Sequence, residues 1–141
     1  MKRLALAVMA VVLFATFAFA QNFGAFSVDV PNGWNAGQDG PTAILSKPDN
    51  SGNVSITVAD SEGASVKDLA DAFRAEFAKS FASVGEAEEN DGDYEWEMTT
   101  SNGVESHALI SGAEGQYMLI VVTGAVDEDE VAGIMGSISL N

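Results

Sequence analysis

The sequence predicts an α+β fold: a single α/β/α sandwich whose six-stranded antiparallel sheet, in the order βββ-α-βββ-α, carries helices on both faces. Three observations lead there. Apolar residues fall at every second position in short segments within 26–58 and 93–111. Between them Val66, Leu69, Phe73, Phe77, Phe81 and Val84 recur every three or four positions. Tyr117-Met118-Leu119-Ile120-Val121-Val122 is apolar throughout. Alternation marks a half-buried strand, the longer period marks an amphipathic helix, and an unbroken run marks a strand covered on both sides. One helix covers only one side, so a second is required.

In chain order, Phe26, Val28 and Val30 alternate with Ser27 and Asp29, and Pro31-Asn32-Gly33 then turns the chain. Trp34 is placed to fold back over the strand end, a structural role rather than a ligand platform. Residues 42–46 and 54–58 give two more strands, and the three read as a meander on short loops. The stripe from Val66 to Val84 predicts a helix of about five turns, with Ser65 and Asp68 in N-cap and N3 relation. Tyr94, Trp96 and Met98 alternate with acids, and Asn102-Gly103 predicts a two-residue hairpin into a partner strand over 104–111. After the apolar strand, Asp127 and Glu130 are spaced as a capping box. Val131, Ile134, Met135 and Ile138 then form the stripe of the second helix.

The N-terminus reads differently. Lys2 and Arg3 precede an uncharged run over 4–19, and Ala18-Phe19-Ala20 has the small-x-small pattern of a cleavage site. The run is shorter than the roughly 20 residues of a spanning helix. Residues 1–20 are therefore expected to be a secretory signal peptide and 21–141 one domain. The other reading is a retained anchor. With no cysteine, disulfides, thiolate metal sites and a lipid anchor on cysteine are all excluded. A periplasmic or secreted bacterial location follows, with no stable membrane insertion after cleavage.

Residues 21–141 hold four basic residues against 21 acids, a formal charge of −17. Phosphate binding needs clustered Lys and Arg, so nucleic acid is excluded as a partner, and anionic membrane surfaces are disfavoured. Cationic proteins and divalent ions stay open beside plain solubility. Glu89, Asp91, Asp93, Glu95 and Glu97 stand at alternate positions. On one extended strand they would share a face about 7 Å apart, a wet edge that could dock a cationic partner or a divalent ion. They do not fit an EF-hand loop. His107 is the only histidine, too few for a conventional zinc site. With a two-residue loop at Asn102-Gly103 it faces Met98, beside Trp96 and Leu109. It reads as a packed or rim residue, and a general-base role is the alternative. No phosphate-binding glycine loop and no G-x-S-x-G elbow occurs. The Asn53-Val54-Ser55 sequon is read as chance.

Three stretches together resemble the PsbP/Mog-like superfamily, which includes exported bacterial DcrB-like proteins and the PsbP accessory proteins of photosystem II. They are FSVDVPNGW over 26–34, the long helix over 65–84 and the closing VAGIMGSISL over 131–140. The resemblance implies an α/β/α sandwich acting as a non-catalytic accessory or protein-interaction domain, with no shared catalytic residues and no cofactor. Its partner would be another exported or envelope protein. An acidic calcium-binding protein and a small hydrolase built on His107 are the alternatives.

Overall fold

The computed structural model describes residues 19–141. The predicted leader lies outside them except for Phe19 and Ala20. The elements run β1 (Phe19–Asn22), β2 (Phe26–Val30), β3 (Asn35–Asp39), β4 (Thr42–Ser46), β5 (Gly52–Asp60), α1 (Val66–Phe77), β6 (Ser83–Val84), β7 (Glu88–Asn90), β8 (Asp93–Thr99), β9 (Glu105–Ala113), β10 (Gln116–Gly124), α2 (Glu128–Gly136) and β11 (Ser139–Leu140). The main sheet has eight strands rather than the predicted six: β3-β4-β5-β10-β9-β8-β6, with β7 also paired to β8. A second sheet of three strands, β1-β2-β11, stands apart from it. All pairings are antiparallel.

The apolar strand sits where its composition demands. β10 lies between β5 and β9 in mid-sheet. Leu119 and Val121 pack with Trp96, Met98, Ala108 and Ile110 beneath α1, whose Leu69, Phe73 and Phe77 cover them. Ile120 and Val122 join the opposite core, with Val54, Ile56, and Val131 and Ile134 of α2. Both faces are covered and a helix lies on each, as expected. The second layer is not helix alone, however. Phe26, Val28 and Val30 of β2 also point into this core, so the small sheet and α2 share it.

That arrangement corrects the first predicted meander. β2 leaves the main sheet, and its place is taken by β3, whose five residues are all exposed. A strand wet on both sides carries no apolar alternation, so periodicity passes over it. The turn after β2 begins at Pro31, whose carbonyl accepts from the Trp34 N–H at 3.0 Å, and Gly33 takes the positive φ of 86°. Trp34 packs, half-buried, against the core as expected. α1 ends at Phe77, earlier than its stripe. The chain turns, Phe81 still packs under the sheet, and Val84 is in β6.

The hairpin register differs by one residue. Glu97 faces His107 and Thr99 faces Glu105. Residues 100–104 form the loop, in which the Val104 carbonyl accepts from the Thr100 N–H at 2.8 Å. The two-residue turns lie elsewhere: Asp91-Gly92 has φ of 55° and 88°, and Glu114-Gly115 has 54° and 83°. Both positions positive is the requirement of a type I′ turn. Since side chains alternate, a slip of one moves every residue to the other face. His107 therefore lies on the α2 side, not beside Trp96.

Candidate functional site

Beyond β10, α2 no longer covers the sheet, and the face of β8 and β9 opens. Glu95, Glu97 and His107 lie on this face, together with Leu109. The His107 Nε2 and Glu95 Oε1 atoms are 2.8 Å apart. An ionised carboxylate only accepts, so Nε2 carries the hydrogen between them. The pair is partly sheltered, with side chains 17% and 30% exposed. Glu97 projects into solvent at 81%, its Oε2 atom 3.9 Å from His107 Nδ1, too far for a direct hydrogen bond.

Three depressions meet at His107. One, of about 60 Å³, lies against α2 and is walled by Leu109, Ile120, Val131 and Met135. A second, of about 310 Å³, runs toward Gly85, Glu86 and Glu88. The largest, about 500 Å³, extends past Val84, Met98 and Glu105 to Val126. The Gly85 wall is held from the far side of the sheet. Arg74 of α1 donates to the Gly85 carbonyl from Nε at 3.0 Å and Nη2 at 2.8 Å. The Gly85 N–H in turn donates to the Glu97 carbonyl at 2.7 Å. The α2 wall is set by the predicted capping box: Asp127 accepts from the Glu130 N–H at 3.0 Å and Glu130 accepts from the Asp127 N–H at 3.1 Å. Glu130 also pairs with Lys47 at 3.1 Å, tying α2 to the loop after β4.

The five acids singled out in the sequence do not share one strand face. The chain reverses at Asp91-Gly92, so Glu89 stands opposite Tyr94 on β7. Asp91 is at the turn itself. Glu95 and Glu97 alone reach the cleft, and Glu88 joins them because it faces Glu95. Asp93 stays at the hairpin end. Its carboxyl is raised above the usual range, chiefly by burial and further by the Asp91 charge. Among the described residues no group of three or more His, Asp or Glu converges as a metal cage. The His107–Glu95 contact was missed in the sequence, since it depends on the register.

No family model and no curated protein matches the chain, so comparison rests on solved structures. The solution structure of cyanobacterial PsbP (CyanoP) from Synechocystis sp. PCC 6803 superposes with a TM-score of 0.55 at 13% identity, over 88% of this chain and 91% of that one. This chain has a PsbP-like fold. A crystal structure from Bacteroides thetaiotaomicron VPI-5482 superposes at a TM-score of 0.53 and 18% identity over 90% of this chain. This chain spans 49% of that one's length. The likeness covers most of this chain, while the identities are too low to carry residues across.

Proposed function

We propose that the chain is an exported, non-catalytic accessory domain of PsbP-like type that works by binding another exported or envelope protein. The observation that carries this is the open face of β8 and β9. Toward this edge of the sheet one face is left as a charged cleft rather than a flat wet surface. Concave sites with a few convergent polar groups are where ligands bind. Support for export comes from the leader pattern over residues 1–20. Cross-linked capture from the exported fraction of the native organism should enrich one protein in stoichiometric amount. Absence of any such protein overturns the reading.

A hydrolytic reading has one observation in its favour: His107 sits in a cleft, 2.8 Å from a carboxylate, the orienting half of a general-base pair. Among the described residues no serine or threonine hydroxyl is hydrogen-bonded to His107, whose ring bonds Glu95. The neighbouring Ser106 is on the α1 side and bonds Thr123 instead. Turnover of a panel of activated esters, abolished by His107→Ala, would establish this reading. Rates equal to buffer remove it.

A further inference from the structure

We propose that the cleft around His107 is a docking groove for an extended, lysine- or arginine-bearing segment of a partner protein. This rests on the binding reading above and adds the place and the chemistry. The groove is acidic along its whole length, with Glu86, Glu88, Glu95, Glu97 and Glu105 lining its two larger parts. No lysine or arginine lines any of its three parts. The four basic side chains of the described residues are all engaged elsewhere. Lys47 holds Glu130, Lys67 holds Asp71, Lys79 holds Glu76, and Arg74 holds the Gly85 carbonyl.

One further feature suits a cationic occupant. Glu88 and Glu95 are direct cross-strand neighbours, an arrangement that like charges disfavour and that a cation between them would reverse. The apolar surface fits the same occupant. Leu109, Ile120 and Met135 beside His107 offer a bed for the methylene stem of a lysine or arginine whose head reaches Glu95 or Glu97. A small ion would use the carboxylates and leave this bed untouched. A second copy of so acidic a chain would be repelled.

The test is a titration of the isotope-labelled protein with a fluorescent peptide of four Lys-Val repeats. Binding should saturate, and amide shifts should be confined to residues 85–88, β8 and β9. The combined Glu88→Gln, Glu95→Gln and Glu97→Gln variant should bind about tenfold more weakly, as expected when charge-assisted contacts are lost. Asp68→Asn with Asp71→Asn on α1 should change affinity less than about twofold. A Glu-Val repeat should not bind. Shifts spread over the acids of α1, or an unchanged affinity in the triple variant, overturn the proposal. The shift map on the unaltered protein decides even if the variant folds poorly. If the triple variant still captures the native partner, the groove is wrong and the binding reading survives. If the peptide maps to the groove but no native partner is ever captured, the groove survives without that reading.

Discussion

Asp93 shows how a single carboxyl reports its surroundings. Its position at the end of the β7–β8 turn, partly buried and near Asp91, raises its pKa in the fold. The protonated form is thus the one the fold prefers. Above the raised value the folded chain holds an ionised carboxylate less well than the unfolded chain does, so this residue destabilises at neutral pH. The penalty fades as pH falls through the raised value and is gone below the unfolded value of about 3.9. Asp93→Asn should therefore raise the Tm at pH 7 and leave it unchanged at pH 3, a comparison two thermal melts provide. A gain of equal size at both pH values would assign the effect to the turn rather than to charge. Gly124 makes the opposite point. It has a φ of 82°, and a Cβ there would press on the Ser51 carbonyl and approach the Gly52 Cα at 3.2 Å. Neither backbone atom can swing aside. Gly124→Ala should cost about 2–4 kcal/mol in denaturant unfolding, from left-handed strain plus the clash. A cost under about 0.5 kcal/mol would mean that the loop before β5 shifts freely.

At the scale of elements, what was legible followed from burial. The stripe of α1 and the double-sided apolarity of β10 each reflect a face that must leave water, and both are found as the sequence places them except that α1 stops at Phe77, before its stripe does. The elements that escaped are those without such a face. β3 is wet on both sides, and β6 and β7 are two and three residues long. The site escaped for a different reason. Asp91-Gly92 makes a tight turn between β7 and β8, and Asn102-Gly103 sits in a longer loop between β8 and β9. Passing over the first strung five acids along one strand, and shortening the second moved His107 to the wrong face. The cleft therefore could not be seen, although the residues that form it were already marked. α2 offers a quantitative check. Both bonds of its capping box are present, so Asp127→Ala should destabilise by about 1 kcal/mol. A loss near zero in urea unfolding would mean that Val131 and Ile134 hold the helix without its cap.

At the scale of the whole molecule, charge dominates. Residues 21–141 set 21 acids against four bases, and the compact state brings those acids together. Among the described residues, Lys67–Asp71 and Lys79–Glu76 are exposed pairs within α1 and its end. Pairs of that kind contribute at most about 1 kcal/mol each. Lys47–Glu130 is better sheltered, yet it offsets one acid. Self-repulsion thus outweighs attraction, and repulsion between exposed charges is screened within about 10 Å at 0.1 M salt and only within about 30 Å at 0.01 M. The Tm should rise by a few degrees, on the order of 1 kcal/mol for a domain of this size, between 10 mM and 300 mM sodium chloride. The same salt should weaken the Lys-Val peptide, because that contact is attraction rather than repulsion. Opposite salt responses of folding and of binding, measured on one preparation, distinguish an acidic surface that merely keeps the chain apart from one that also receives a cationic partner. A Tm that falls with salt would show the few ion pairs outweighing the repulsion.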